Sequence, residues 1–263
     1  MPIRVGVNGA GGRMGSAVCH AVGVDPDLEL AAAVDPRHAG STVAVGTDDR
    51  VVTIGGELRA FAEAPCDVVV DFTVAAAARV TLPWLAMHGV HAVVGTTGLT
   101  DADLDAVRRA FGDGPAHCVI APNFAISAVL MMRFAEMAAP FFESAEIIEL
   151  HHDGKVDAPS GTAMQTAERL AAASSEWAAD PTQREVYPGA RGGVGPAGIR
   201  VHAVRMRGMV AHQEVILGTL GQTLTIRQDS YDRDSFMPGV IMACKRIADH
   251  PGLTLGLDAL LGV

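Results

Sequence analysis

Two histidines, a lysine and a helix start lie close together between residues 149 and 162, and their types suit acid–base chemistry on an anion. An apolar strand ends in Glu149-Leu150-His151-His152, and Lys155 follows in a short loop. Alternation along a strand places the two histidines on opposite faces if the strand continues, or fans them around a cleft if it ends there. Pro159-Ser160-Gly161-Thr162 then opens a helix that Ser160 can cap. Because helix N-termini suit carboxylates, the segment predicts an anion site with proton donors.

A zinc site and a surface loop without function are the alternatives for this segment. Paired histidines can ligate zinc. However, no Cys or Glu at metal spacing accompanies these two, and the nearby Lys155 would repel the ion. We therefore favour a site for substrate binding and proton transfer, and we expect no metal.

A second candidate site lies near the start of the chain, where glycines repeat between a strand and a helix. Residues 8–15 read NGAGGRMG, with glycines at Gly9, Gly12 and Gly15 and an extra one at Gly11. Gly9 permits a tight turn, Gly11 and Gly12 let the backbone approach a pyrophosphate, and Gly15 lets the helix pack on the sheet. Asp35 ends the second strand 20 residues past Gly15, where a carboxylate would bond the adenosine ribose hydroxyls. This pattern predicts dinucleotide binding.

The residues around Asp35 leave the choice of dinucleotide open. Asp35 favours NAD, since a carboxylate repels a 2′-phosphate. Arg37 and Arg13 lie close by in sequence and could pair with that phosphate, although Arg37 could equally be a solvated loop charge. The sequence therefore allows NADH, NADPH or both.

The first 123 residues alternate strand-like and helix-like runs, which predicts a parallel sheet covered by helices on both faces. We expect a further helix to be capped by Thr81, with Pro83 in its first turn and an end near Gly89. Ligands of such sheets bind at the carboxyl ends of the strands, which makes DFT (71–73) and GTT (95–97) further candidates, although both could also be simple strand-end turns. The predicted strands are 3–8, 28–35, 66–72, 91–95 and 117–121, and the other helices are 12–22 and 101–111.

The pattern changes after residue 126 and predicts a second, α+β domain. Ser235 is expected to cap the last helix. Residues 174–198 contain three prolines and five glycines, which predicts a lid, a binding loop or a mobile segment. The predicted helices are 127–142, 161–173 and 236–249; the predicted strands are 144–152 and an antiparallel meander of 199–206, 210–219 and 222–230.

Bulk properties exclude several classes of function. The 263 residues suggest one large or two modest domains. A net charge of −10 without a Lys/Arg cluster argues against a nucleic-acid or anionic-membrane partner. No run approaches the roughly 18 apolar residues of a membrane span. A strand that begins at Ile3 leaves no room for a signal peptide, so we expect a cytoplasmic protein.

Residues 147–165 read IIELHHDGKVDAPSGTAMQ, which resembles the signature of the 4-hydroxy-tetrahydrodipicolinate reductases, also called dihydrodipicolinate reductases. The resemblance covers essentially the whole chain and is greatest to the actinobacterial branch. Many relatives have Glu-Arg near position 35, whereas this chain has Asp35-Pro36-Arg37. The other family motifs are GAGGRMG (9–15), DFT (71–73), VVGTTG (93–98), APNFAI (121–126) and HAVRMRGMVAHQEVILG (202–218).

The resemblance implies a Rossmann-like dinucleotide-binding domain, residues 1–125 completed by 235–263. It also implies an α+β domain, residues 126–234, that binds substrate and builds a homotetramer through its sheet. Hinges are implied near 123–127 and 231–235. The residues implied to line NADH or NADPH are Gly9, Ala10, Gly11, Gly12, Arg13, Met14, Asp35, Gly95, Thr96, Thr97, Ala121, Pro122, Asn123 and Phe124.

The implied reaction is the NAD(P)H-dependent reduction of 4-hydroxy-tetrahydrodipicolinate, a cyclic dicarboxylate, to tetrahydrodipicolinate. Water is lost, and the step belongs to diaminopimelate and lysine biosynthesis. His151 would be the proton donor/acceptor and Lys155 a proton donor. His152, Gly161 and Thr162 would hold the substrate carboxylates.

Two rival functions have to be weighed. One is another two-domain NAD(P)-dependent reductase of an amino-acid-derived substrate, such as a semialdehyde dehydrogenase. Such an enzyme needs a cysteine nucleophile, and Cys118 lies inside an apparent strand. The other is a non-enzymatic NAD-sensing regulator, which would need a DNA-reading or partner-docking segment, and no basic helix is evident.

Overall fold

The computed structural model describes residues 1–112 and 114–263. The strands are β1 (Ile3–Asn8), β2 (Leu28–Val34), β3 (Thr42–Ala44), β4 (Val51–Thr53), β5 (Val68–Asp71), β6 (His91–Val94), β7 (Cys118–Ile120), β8 (Ser144–His151), β9 (Gly193–Val194), β10 (Arg200–Arg205), β11 (Ala211–Thr219), β12 (Gln222–Ser230) and β13 (Leu253–Leu255). The α-helices are α1 (Arg13–Val24), α2 (Ala60–Glu63), α3 (Ala75–Met87), α4 (Asp101–Gly112), α5 (Ile126–Ala138), α6 (Gly161–Ala173), α7 (Met237–Arg246) and α8 (Asp258–Leu261). Short 3-10 turns are Ala139–Phe141, Pro196–Gly198, Arg233–Phe236 and Ile247–Asp249.

The described residues divide into two compact units. The first unit contains Met1–Phe124 and Arg233–Val263, and the second unit contains Ala125–Asp232. The first unit is therefore built from two separated stretches of chain. In the part of the chain that the structure describes, no helix combines the length and the apolar character needed to cross a membrane.

The first unit is organised around a six-stranded sheet of order β13-β7-β6-β5-β1-β2 within the described residues. All of its strand pairs are parallel, which confirms the predicted sheet. β5 is buried along its whole length, as a strand covered on both faces must be. β1 and β5 are neighbours although β2 separates them in the chain, so the winding direction reverses between them. Ligands bind beside such a reversal at the carboxyl ends of the strands.

Two predicted helix caps in the first unit are wrong. α3 begins at Ala75, so Thr81 lies in its middle, where its hydroxyl donates to the backbone oxygen of Ala77 at 3.1 Å. The alanine run before Thr81 already favours helix, and that propensity outweighs the start signal of Thr81 and Pro83. Ser235 lies within the 3-10 turn Arg233–Phe236, and α7 begins only at Met237.

The second unit holds a mixed sheet whose described strands have the order β12-β11-β8-β10-β9. The predicted hairpin of β11 and β12 is confirmed by their antiparallel pairing. The predicted meander of three consecutive strands is wrong, because β8 lies between β10 and β11. β8 pairs with β10 in parallel, so the turn at Arg207-Gly208 carries the chain across the width of β8.

The two faces of this sheet differ in character. α5 packs on β11 and β12, and α6 packs on β8 and β10. The face below these helices buries Ile147, Val215 and Leu217 completely. The opposite face carries Ile148 and Ile216, which are only half-buried in the single chain.

Candidate active site

The catalytic candidates of the second unit start at the end of β8. The strand ends at His151, so the structure adopts the second of the two arrangements that the sequence allowed. The His151 side chain is 17% exposed, whereas His152 follows the strand and is exposed. The two histidines therefore differ in environment: one is held at the strand end, and the other is open to solvent.

Glu149 is the centre of a buried cluster next to His151, and its side chain is 0% exposed. Arg205 donates to its two carboxylate oxygens at 2.7 and 2.8 Å, and the backbone amide of Ser160 donates at 3.0 Å. Nδ1 of His151 lies 2.6 Å from Oε2 of the same carboxylate. These contacts occupy all four acceptor positions of the carboxylate.

The charges of this cluster determine the tautomer and the protonation state of His151. Burial alone would raise the pKa of Glu149, but the hydrogen bonds from Arg205 and His151 outweigh it and hold the pKa below its usual value. An ionised carboxylate only accepts, so Nδ1 of His151 carries the hydrogen and Nε2 is left to exchange protons. Burial lowers the pKa of His151, and the charges of Lys155 and Arg205 act in the same direction against Glu149. His151 is therefore a neutral imidazole at neutral pH.

Lys155 lies in the loop between β8 and α6 and is 20% exposed. Its Nζ donates to both carboxylate oxygens of Asp157 at 2.8 Å. Arg205 donates to the backbone oxygen of Asp157 at 2.7 Å and so ties this loop to the Glu149 cluster. Sequence reasoning assigned no role to Arg205 or Asp157. The spacing Lys-x-Asp was a local signal for the lysine–aspartate pair.

The start of α6 forms the other side of the second-unit candidate. The predicted cap is confirmed, because the Ser160 hydroxyl accepts from the backbone amide of Ala163 at 3.2 Å. Gly161 opens the helix and is exposed, and a Cβ added there would meet no described atom within 4 Å. Packing therefore does not require glycine at this position, but an incoming anion could approach the bare backbone closely. Thr162 follows in the same turn.

The glycine loop of the first unit has the geometry that the sequence predicts. Gly9 has a φ of +82°, and a Cβ on it would lie 2.8 Å from the backbone oxygen of Phe72. A Cβ on Gly15 would lie 2.1 Å from the backbone oxygen of Gly9, so the helix packs too closely for a side chain. Among the described residues, no side chain caps the start of α1 at Gly12. The loop therefore leads closely into α1, whose N-terminal turn offers backbone amides to a phosphate group, as a dinucleotide site requires.

Asp35 lies beside this loop, with its side chain 11% exposed. Its Oδ1 accepts from the amide of Arg37 at 3.0 Å, and its Oδ2 accepts from the amide of Gly11 at 3.2 Å. Nδ1 of His38 lies 2.9 Å from the same Oδ2. Arg13 and Arg37 are both exposed. Sequence reasoning missed His38, although its position three residues after Asp35 in a turn was a local signal.

A buried polar network joins the ends of β1, β5 and β6. Asp71 is 0% exposed and accepts from the Asn8 amide at 2.8 Å, the Thr73 hydroxyl at 2.6 Å and the Thr96 hydroxyl at 2.8 Å. A Cβ on Gly95 would lie 2.1 Å from the Phe72 ring. The DFT and GTT segments therefore meet at the carboxyl ends of these strands, as their strand-end positions predict.

The remaining predicted cofactor residues also lie in the first unit. The Phe124 ring packs against Phe72, with ring centroids 5.7 Å apart. Ala121 is buried, Asn123 is half-buried, and Thr97 and Pro122 are exposed. Ala10 is buried and Met14 half-buried within the glycine loop and the start of α1.

The cysteines do not offer a nucleophile. All four are buried free thiols. Burial raises the pKa of Cys19, Cys66 and Cys244 to about 12, and it raises the pKa of Cys118 as well. Because the thiolate is the reactive form, this argues against a semialdehyde dehydrogenase.

Comparison with known protein families distinguishes between the rival interpretations of the sequence. Residues 3–124 match the family described as "Dihydrodipicolinate reductase, N-terminus", and residues 127–261 match "Dihydrodipicolinate reductase, C-terminus". The chain belongs to the dihydrodipicolinate reductase family. Membership confirms the family that residues 147–165 predict, which is a family of oxidoreductases. The N-terminal half of the chain is its Rossmann-like, nucleotide-binding domain.

Individual relatives agree over the full length. The 4-hydroxy-tetrahydrodipicolinate reductase of Thermobifida fusca (strain YX) is 52% identical over 267 residues, covering 99% of this chain and 100% of the relative. The reductase of that name from Corynebacterium urealyticum is 50% identical over 265 residues, covering 99% of each chain. A dipicolinate-bound dihydrodipicolinate reductase from Paenisporosarcina sp. TG-14 has a TM-score of 0.87 at 37% identity, covering 98% of this chain and 99% of that one. The predicted fold class is confirmed by this match.

Proposed function

We propose that the chain is a cytoplasmic enzyme that reduces 4-hydroxy-tetrahydrodipicolinate to tetrahydrodipicolinate with NADH, NADPH or both, in diaminopimelate and lysine biosynthesis. The observation that carries the proposal is the buried Glu149 cluster beside His151 and the start of α6, in a chain about half identical to reductases of that name. Water leaves the hydroxylated ring in the same overall reaction.

The first unit is proposed to hold the cofactor, and the nicotinamide supplies the hydride when bound. The backbone of Gly9–Met14 takes the pyrophosphate, and Asp35 takes the adenosine ribose. Thr96 and Thr97 position the nicotinamide, with the Thr96 hydroxyl held by Asp71 at 2.8 Å. Gly95 and residues 121–124 complete the lining.

The second unit is proposed to hold the substrate. The substrate is a dianion, and the chain has a net charge of −10, so positive potential must be local. Lys155 and the start of α6 supply it, and His152, Gly161 and Thr162 hold the carboxylates. Lys155 exchanges Asp157 for the substrate, which the 61% exposure of the Asp157 side chain permits.

Proton transfer is proposed for His151 and Lys155. Glu149 holds the His151 ring with hydrogen on Nδ1, so Nε2 is the atom that accepts or donates the mobile proton. Lys155 gives a proton to the ring as negative charge builds beside the reduced carbon. Arg205 neutralises Glu149 and thereby keeps the carboxylate from taking that proton itself.

The assembly is proposed to be a homotetramer that buries the half-covered sheet face around Ile148 and Ile216. Apolar residues on an uncovered sheet face suit contact with the same face of another copy. Hinges near residues 123–127 and 231–235 are proposed to let the reacting groups approach during turnover.

The decisive test is oxidation of NADH and NADPH with precursor made freshly from pyruvate and aspartate semialdehyde. We expect rapid oxidation by the full chain and strong loss of rate in Lys155→Ala. Oxidation only with a different amino-acid-derived substrate would support the rival reductase. Dinucleotide binding without oxidation of any substrate would support the regulator.

A further inference from the structure

His38 lies at the ribose end of the proposed dinucleotide site. Its Nδ1 shares Oδ2 of Asp35 with the amide of Gly11, at 2.9 and 3.2 Å. A Cβ built on Gly11 would lie only 2.3 Å from Cγ of the His38 ring, so the ring lies directly against the glycine loop. The side chain is still 47% exposed. The imidazole thus bridges Asp35 and the loop while solvent reaches part of it.

From this position, His38 can offset the negative charge of Asp35, which opposes binding of a 2′-phosphate. An acidic residue at the end of the second strand bonds ribose hydroxyls but repels a phosphate on the 2′-oxygen. A protonated imidazole donates one N–H to the carboxylate and cancels its charge. The second ring nitrogen then carries another N–H, which can donate to a phosphate oxygen.

We propose that His38 is the specificity-determining residue that lets this chain accept NADPH in spite of Asp35. The inference rests on the proposed dinucleotide function. His38 serves as the counter-ion and phosphate ligand, whereas the exposed Arg13 and Arg37 are secondary. NADH binding depends on Asp35 and the glycine loop and does not need the imidazole.

Calorimetric titration of the full chain tests this without relying on turnover. The ligands are NADP+ and NAD+, together with 2′,5′-ADP and 5′-AMP, which differ by the same 2′-phosphate. In His38→Ala and His38→Gln, we expect the Kd of both 2′-phosphate ligands to rise about tenfold, because a charged hydrogen bond is lost. The Kd of NAD+ and 5′-AMP should stay near that of the wild type. His20→Ala, which removes an exposed histidine of α1, is the matched control.

Each other outcome has a definite meaning. If His38→Ala changes the Kd of all four ligands by the same factor, the ring affects the conformation of the glycine loop and not the 2′-phosphate, and the proposal is wrong. If Arg37→Ala or Arg13→Ala selectively weakens binding of the 2′-phosphate ligands and the His38 variants do not, the arginine determines the specificity and the proposal is wrong. A wild type that binds NAD+ but not NADP+ would also overturn the proposal. Failure of the wild type to bind any of the ligands would overturn the proposed function itself.

Discussion

Replacing Arg205 by methionine would leave Glu149 charged, buried and short of two of its four hydrogen bonds. The remaining donors are Nδ1 of His151 at 2.6 Å and the amide of Ser160 at 3.0 Å. Removing one partner of a buried ion pair costs about 3–5 kcal/mol, because the other charge stays behind without compensation. Domains of this size are stable by about 5–15 kcal/mol, so the variant should fold but be clearly weakened.

A second substitution separates this effect from simple loss of packing. Glu149→Gln removes the charge that Arg205→Met leaves uncompensated. The double variant should therefore be more stable than Arg205→Met alone, with a coupling energy of about 0.5–3 kcal/mol. Arg207→Met is the matched control, since its side chain is 94% exposed and its ion pair with Asp153 lies at the surface. We expect no measurable loss of stability there.

The chain offers a convenient assay. It contains two tryptophans, Trp84 in the first unit and Trp177 in the second. In a Trp84→Phe background, Trp177 fluorescence during urea unfolding reports on the unit that carries the pair. If the single and double variants are additive, or if Arg205→Met matches the Arg207 control, the buried pair does not contribute as we argue.

Acid should reduce the difference between wild type and Arg205→Met. The pKa of Glu149 is lowered in the folded protein, so its contribution to stability is full above the ordinary value of 4.5 and is lost as pH falls through the lowered value. Without Arg205 the pKa of Glu149 rises, and the variant has less stability to lose on acidification. A gap that widens below pH 4.5 would contradict this sign.

Four further predictions follow from the site. Lys155→Ala should lower kcat about a hundredfold or more with NADH affinity unchanged, and a near-normal kcat would reduce Lys155 to an anchor. In an NMR titration, the His151 ring of the wild type should titrate below the ordinary value of 6.5, and Lys155→Ala should move it upward, because the lysine charge lowers its pKa. Gly161→Val should raise KM and leave the melting temperature nearly unchanged, since the space beside Gly161 is open among the described atoms. Sedimentation should show a tetramer at micromolar concentration, and Ile148→Asp should dissociate it. A stable wild-type monomer would contradict the proposed tetramer.

The local features of both candidate sites could be predicted because their causes lie within a few residues. Gly9 needs its positive φ, and Gly15 packs on the backbone of Gly9, six residues earlier. Ser160 caps the helix through an amide three residues later. Such contacts depend on residue type and spacing alone, which is why motif patterns predict them.

The failed helix caps have a different cause. Thr81 and Ser235 have residue types that favour helix starts, but other turns of the chain decide where the helices begin. An alanine run precedes Thr81, and a 3-10 turn already holds Ser235. A capping residue is a start signal only when the preceding residues leave the helix unformed.

The missed Arg205 and the wrong meander have a common cause, because both depend on which strands are neighbours in the sheet. Arg205 lies 56 residues from Glu149 in sequence, and only the parallel pairing of β8 with β10 brings it opposite His151. The antiparallel pairing with β11 puts Ala211 on the other side of that histidine. Periodicity indicates which face a side chain takes, but not which strand is its neighbour. A buried carboxylate without a counter-charge is costly, so Glu149 needs a cationic partner once it is buried. The sequence gives no sign that β10 runs beside β8, and for that reason it could not identify Arg205 as this partner.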